Sequence, residues 1–325
     1  MPANLTPEFK KARERLRAAQ SPEERLDALE EMLATIPKHK GTDKMQADIK
    51  RRIAKLRDAQ GREKRGRSTG YDHMDREGAG QVALVGPPNT GKSSLLAALT
   101  NAHPEIGDYP YSTTVPVPGM MRFEDVPIQL IDLPPLAEEI TEGWVYSLIR
   151  NADLCLLTFD ATEAPILEEE LEGIARLLEA RHIRVSATPG EPPDFRTRVV
   201  PSRILLTKVD LLDAPPNLPW EDPPLPVVLT SSLAEEGLDS LRREVFDALR
   251  IVRIYTKLPG KPPDMEEPYT LPDGSTVLDA VRTVHREFVG KLKYVRIWGS
   301  GKFDGQHAPA DHRLEDKDVI EIHLA

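Results

Sequence analysis

Short apolar runs and amphipathic stretches alternate along the middle of the chain. The runs fall at 82–85, 128–131, 154–159, 204–206 and 227–229, each the length of one buried strand. Helical patterns lie between several of them, at 92–101, 141–151, 163–181 and 237–249. Buried strands alternating with amphipathic helices predict an α/β domain built on a mostly parallel sheet. In such sheets ligands bind at the carboxyl ends of the strands.

The pattern differs on either side. Ser21-Pro22-Glu23-Glu24 reads as a helix start, with an N-cap, a proline in the first turn and early acids. Leu26, Leu29 and Leu33 then recur at helical spacing until Ile36-Pro37, and Met45, Ile49, Ile53 and Leu56 share one face of a second helix over 42–59. Together they predict a helical hairpin, followed by a linker over 61–80. After residue 250 the pattern becomes strand (251–255), strand and turn (269–276), helix (277–288), strand (294–298) and strand (319–324). This is a small α+β module closing on one helix. The division expected is 1–70, helical hairpin and basic linker; 71–250, α/β domain; and 251–325, small terminal domain.

Composition narrows the options. A net charge of −10 argues against a protein that coats nucleic acid non-specifically. A local basic stretch remains at 50–67, which fits either a solvated charged face or contact with RNA phosphate. No apolar run approaches the roughly 20 residues needed to cross a bilayer, and the N-terminal segment lacks the apolar core of a signal peptide. The single cysteine, Cys155, excludes an internal disulfide and fits a reducing cytoplasm; its apolar neighbours make it a core residue. Prolines clustered at 187–201 and 213–226 predict rigid, extended surface loops. His285, His307, His312 and His323 lack regular metal-ligand spacing, so solvated or core positions are the better reading.

The chemistry concentrates where strands end. Gly86-Pro87-Pro88-Asn89-Thr90-Gly91-Lys92-Ser93, followed by Ser94, is a G-x-x-x-x-G-K-S loop between a strand and a helix. Phosphate needs positive potential, converging N–H donors and close backbone approach. Glycines permit the approach, and the helix start supplies N–H groups and dipole. Lys92 would reach the β- and γ-phosphates and the Ser93 hydroxyl would ligate Mg²⁺. At average glycine usage a bare match arises by chance in roughly one chain of this length in a hundred, and the flanking strand and helix make it rarer. Asp132, ending the next apolar run, is the expected acid on the Mg²⁺ side. The polar loop 109–116 between them offers further hydroxyls.

The base site follows in order. Thr207-Lys208-Val209-Asp210 ends an apolar strand. An aspartate can accept two hydrogen bonds from guanine N1–H and its 2-amino group, a donor pair adenine lacks. Leaving a buried carboxylate unpaired costs about 1–3 kcal/mol or more, so Asp210 would select the base. The Lys208 stem would cover the flat face of the base, and N–H groups of Thr230-Ser231-Ser232 can meet guanine O6. Each piece is common alone; five in this order, each after a strand, point to GTP or GDP.

These motifs resemble those of the Obg superfamily of GTPases, and more closely its developmentally regulated GTP-binding (DRG) branch. The matching residues are the loop from Gly86 to Ser94, Tyr109-Pro-Tyr-Ser-Thr-Thr-Val-Pro, Thr207-Lys-Val-Asp and Ser231-Ser-Leu. Val252-Arg-Ile-Tyr-Thr-Lys, Tyr294-Val-Arg-Ile-Trp-Gly and Asp311-His-Arg-Leu-Glu-Asp-Lys-Asp-Val-Ile are similar to that branch's TGS domain, a ubiquitin-like β-grasp. The resemblance implies a cytoplasmic GTPase linked to the ribosome or structured RNA, through the TGS domain and basic hairpin; a monomer with no membrane partner is the further expectation. It further implies that Thr113 is the switch I ligand of Mg²⁺, beside Ser93 and Asp132. It also implies that Asn89 helps hold a stimulating K⁺, although loop capping is an alternative for that residue. On this reading Lys92, Thr113 and Asn89 form the catalytic group.

Three departures bear on activity. Where the family has D-x-P-G, this chain has Asp132-Leu133-Pro134-Pro135, and proline offers no N–H to the γ-phosphate. The glycine-rich switch II is replaced by a helix-forming segment from Ala137. The branch's inserted subdomain is absent, since the interval from Asp160 to Thr207 is too short for it. Thr207 in place of the usual Asn is milder. A slow GTPase is expected; a nucleotide-loaded scaffold with little hydrolysis, or an ATPase of similar fold, remain as alternatives.

Overall fold

The computed structural model describes residues 71, 73–102, 115–137 and 141–325, together with Lys11, Arg15, Ala28, Leu29, Glu31, Met32 and Thr35. The chain forms two compact units, Met1–Gly70 and Tyr71–Ala325. In the first unit all seven described residues are helical. Ala28, Leu29 and Met32 are buried, and Arg15 pairs with Glu31 at 3.0 Å. The expected helix over 42–59 and the basic stretch 50–67 lie outside the described residues.

The second unit contains a seven-stranded and a five-stranded sheet. In the first, β1 (Gln81–Val85) lies between β3 (Val126–Asp132) and β4 (Leu154–Asp160), parallel to both. β4 is followed by β6 (Arg198–Thr207), which also pairs in parallel with β5 (Ile183–Ser186) and β7 (Val227–Leu229). β2 (Val117–Phe123) adds an antiparallel edge against β3. β1 and β4 are buried on both faces, as strands of a doubly covered parallel sheet must be.

Among the described residues four helices supply the cover. α1 (Lys92–Leu99) buries Leu95, Leu96 and Leu99, and α4 (Leu238–Leu249) buries Leu241 and Val245, against Val82, Leu84 and Leu156. α2 (Gly143–Asn151) and α3 (Leu167–Glu179) cover the other face, against Ala83, Val85 and Leu157. Side chains alternate along β1, so consecutive residues feed opposite cores. In α3 the buried residues Leu167, Leu171, Ile174 and Leu178 follow helical spacing. Burying each contributes about 1.5–3 kcal/mol. The pattern over 163–181 predicts one helix, but Ala161–Ile166 is a 3-10 turn containing Pro165, and α3 starts only at Leu167.

The strands of the second sheet are β8 (Ile251–Lys257), β9 (Pro263–Pro272), β10 (Leu292–Trp298), β11 (Gln306–Ala308) and β12 (Asp318–Leu324). Their order across it is β11-β10-β12-β8-β9. It grips α5 (Val277–Val284), whose start is fixed by a capping box between Thr276 and Asp279. Val277, Ala280 and Val281 pack on Ile254, Val295, Ile297 and Ile320. The expected helix over 277–288 stops early, because His285 is extended, and a four-residue α6 (Phe288–Lys291) follows.

Candidate functional site

The carboxyl ends of β3, β1, β4, β6 and β7 lie along one edge of the first sheet. Registers set this alignment: Leu84 pairs with Asp132, Val85 with Leu157, Asp160 with Thr207 and Leu206 with Leu229. The phosphate loop leaves β1 there and enters α1.

The loop depends on two residue types. A Cβ on Gly86 would lie 2.2 Å from the Thr158 carbonyl oxygen, so only glycine lets the loop pass β4. Gly91 (φ 82°) and Asn89 (φ 62°) adopt left-handed backbone, the second being a side chain that tolerates it. Asn89 is exposed, Thr90 is buried, and Pro87, Pro88 and Ser94 are half-buried. Among the described residues no side chain caps α1, so toward them its first-turn N–H groups are open to an anion.

Lys92 is 5% exposed. Its ammonium donates to the carbonyls of Gly86 (3.1 Å) and Pro87 (2.6 Å) and lies 3.5 Å from Thr90 Oγ1. Burial pushes its pKa down to about 8, while the Asp132 charge pulls the other way. The Ser93 hydroxyl donates to Asp132 Oδ2 at 2.5 Å. The structure thus joins the loop serine to the acid ending β3, two hard oxygen donors of the kind Mg²⁺ takes.

At the other end, the buried Thr207 hydroxyl lies 2.7 Å from the Thr90 carbonyl and 3.1 Å from that of Phe159. It braces the phosphate loop against β4. Lys208 is left-handed (φ 59°) and pairs with Asp160 at 2.6 Å. Burial alone would raise the Asp160 pKa; hydrogen bonds from Lys208 and Thr162 outweigh it and hold the carboxyl low. Asp210 is exposed, in a single 3-10 turn after Lys208. Ser231 is buried, and its hydroxyl accepts from Ala234 N–H at 2.9 Å. The N–H groups of Thr230 and Ser231 donate to Leu206 (2.8 Å) and Glu236 (3.0 Å), which narrows the N–H groups available to a base to that of Ser232, half-buried, and those beyond it.

The sequence patterns thus converge on one edge: Gly86 to Ser94, Asp132, Thr207, Lys208, Asp210, Ser231 and Ser232. Thr113 lies outside the described residues, as does most of its loop. Asp160 was missed by sequence reasoning, although it ends an apolar strand run just as Asp132 does. After Asp132, Leu133, Pro135 and Leu136 are all buried, with Leu133 and Leu136 in the core beside Trp144 and Val145.

Comparison with known proteins agrees with this layout. The family model described as "50S ribosome-binding GTPase" matches residues 81–215, and that of the TGS domain matches 252–324. An uncharacterised GTP-binding protein of Methanocaldococcus jannaschii is 31% identical, over 92% of this chain and 92% of its own length. Developmentally-regulated G-protein 2 of Arabidopsis thaliana is 29% identical, over 92% and 90%. Ribosome-interacting GTPase 1 of Saccharomyces cerevisiae is 28% identical, over 92% and 98%. No helix among the described residues is long and apolar enough to cross a membrane. The GTPase and TGS matches in this order, with a relative of 31% identity along nearly the whole chain, show that it belongs to the developmentally regulated GTP-binding proteins.

Proposed function

We propose that this protein hydrolyses GTP to GDP and phosphate, slowly and with Mg²⁺, while attached to the ribosome or to structured RNA. The observation that carries the hydrolytic reading is the Ser93–Asp132 contact beside the buried Lys92. Ser93 and, in switch I, Thr113 would hold Mg²⁺ directly, and Asp132 would hold it through water. When bound, the ion neutralises charge developing on the β- and γ-phosphates. Lys92 exchanges its carbonyl partners for phosphate oxygens, and the first turn of α1 supplies N–H donors. Asp210 accepts from guanine N1–H and the 2-amino group, Ser232 N–H meets O6, and Lys208, held by Asp160, lies along the base. Asn89 takes part in holding K⁺.

Slowness follows from the segment after β3. It contains no glutamine to orient water, and Pro135 has no N–H for the γ-phosphate. The test is single-turnover phosphate release from GTP with Mg²⁺, in KCl against NaCl, with Asn89→Asp as control. Release faster in KCl, and insensitive to the salt in Asn89→Asp, is expected; equal rates in both salts would remove the potassium step. A second reading, a scaffold that binds GTP without hydrolysing it, is favoured by the burial of Leu133, Pro135 and Leu136. No phosphate release over hours would select it.

The ribosomal part draws on the similarity to Ribosome-interacting GTPase 1 and on the basic stretch 50–67. On this reading the segments 1–70, 71–250 and 251–325 act as separate domains of a cytoplasmic monomer. Co-sedimentation with ribosomes that weakens steadily with salt is expected; none at low salt would overturn it.

A further inference from the structure

The outer face of the TGS sheet divides into a covered and an open part. Strand registers place Tyr255, Val319 and Trp298 in one row across it, Glu321, Arg296 and His307 in the next, with Lys257 paired to Glu321, and His323 and Tyr294 in a third. At the β8 end the face is already an interface. Tyr255 donates to Asp125 of the β2–β3 turn at 2.6 Å, and Arg253 reaches Asp125 and Glu124. At the β10–β11 end the face is open, and its rings are ordered there. Tyr294 stacks on His323 (centroids 4.2 Å, interplanar 18°) and on His307 (4.3 Å, 16°).

This His–Tyr–His ladder is held from one end. Glu321, 4% exposed, bonds His323 Nε2 at 2.6 Å and Lys257 Nζ at 3.1 Å, so its charge is offset within the sheet. The other end of the ladder faces outward: β11 is the outermost strand, and His307 is exposed on it. Arg296, also exposed, is the direct cross-strand neighbour of His307. A preordered stack ending in an exposed flat ring, beside an exposed guanidinium, is the pair of features that unpaired nucleic acid requires. The ring extends into a base, and the cation meets a phosphate.

We propose that His307 stacks an unpaired nucleobase of RNA at this sheet edge, with Tyr294 and His323 as its backing and Arg296 on the adjoining phosphate. This rests on the ribosome and RNA reading above and names the contact it would use.

The experiment is fluorescence anisotropy of the full-length protein with a labelled single-stranded oligoadenylate and with an RNA duplex of equal length. The wild type is expected to prefer the single strand. His307→Ala should weaken it about tenfold, whereas His307→Phe, which keeps a flat ring, should stay within about twofold of wild type. Arg296→Gln should lower the slope of log affinity against log salt by about 0.7, the value for one phosphate on a single strand. GDP affinity and melting temperature, measured on each variant, report whether it has folded. Failure of the wild type to bind oligoadenylate, equal binding of duplex, or an unchanged affinity in a folded His307→Ala would each overturn the proposal. If ribosome co-sedimentation persists in those cases, the inference fails alone; if it is lost too, the underlying reading fails with it.

Discussion

Lys92 in the phosphate loop and Arg253 at the foot of the TGS sheet are both almost fully buried, at 5% and 2% exposure. Their surroundings are opposite. Arg253 is saturated: Asp316 takes it in a fork (3.0 and 3.1 Å), Glu124 and Asp125 bond Nη1 (2.7 and 2.6 Å), and the Phe246 ring lies 4.9 Å away. Burial alone would lower its pKa, but these carboxylates raise it. Lys92 has neutral carbonyls as its hydrogen-bond acceptors, and burial pushes its pKa down to about 8. A buried cation surrounded by carboxylates fastens two parts of a fold. A buried cation left with weak acceptors retains its attraction for an incoming anion.

The largest effects should separate the two. Arg253→Met removes the bonds to Asp125, Asp316 and Glu124, whose carboxylates are partly open to water, and a loss of about 1.5–3 kcal/mol is expected. Urea unfolding should show that loss, with GDP affinity within about twofold of wild type. Lys92→Met removes a desolvated charge, so the nucleotide-free protein should be as stable as wild type or more so. Its GDP affinity should fall about a hundredfold, since bonds to charged groups contribute about 1.5–3 kcal/mol each. Equal destabilisation by both substitutions would break the comparison.

Acid provides a milder test. Asp125 is desolvated, which would raise its pKa, but bonds from Tyr255 and Arg253 prevail and lower it; Glu124 is lowered first by its bond with Lys317. A carboxylate depressed in the folded state adds stability that is fully present above its unfolded pKa. That stability is lost as pH falls through the folded value. Melting temperature should therefore drop below about pH 4, and Asp125→Asn should flatten that drop. Lys92 lies outside this range, so Lys92→Met should leave the acid limb unchanged.

The same contrast explains what was legible in the sequence. The phosphate loop is one contiguous segment, so its spacing alone places Gly86, Lys92 and Ser93. The Arg253 cluster draws on Glu124, Asp125 and Asp316, brought together only by folding, and no local pattern announces it. β2 was hidden because Pro118 and Gly119 interrupt its alternation. A Cβ on Gly119 would lie 2.6 Å from Thr100 Oγ1, so that glycine serves packing against α1. β5 is a half-exposed strand of four residues, and β6 begins inside a proline-rich stretch that predicts loop, because Pro201 is accommodated within it. In the base site, the engagement of Thr230 and Ser231 N–H groups with Leu206 and Glu236 depends on a loop conformation that residue types do not specify.

The smallest effect tests how far the weakly held state of Lys92 depends on its scaffold. Thr207 bridges the Thr90 and Phe159 carbonyls and keeps the phosphate loop against β4. Thr207→Val keeps the shape and removes one buried donor, leaving the nearer carbonyl, that of Thr90, short of a partner. A loss of about 1 kcal/mol in stability is expected. If the brace also sets the distance between Lys92 and the Gly86 and Pro87 carbonyls, GDP affinity should fall by a similar factor, about fivefold. Thr207→Ser, which keeps the hydroxyl, should restore the affinity while still losing a buried methyl. Restored affinity without restored stability would separate the hydrogen bond from the packing, and would assign the loop's readiness for phosphate to the hydrogen bond. Unchanged affinity in Thr207→Val would instead show that the Gly86 approach to Thr158 holds the loop by itself.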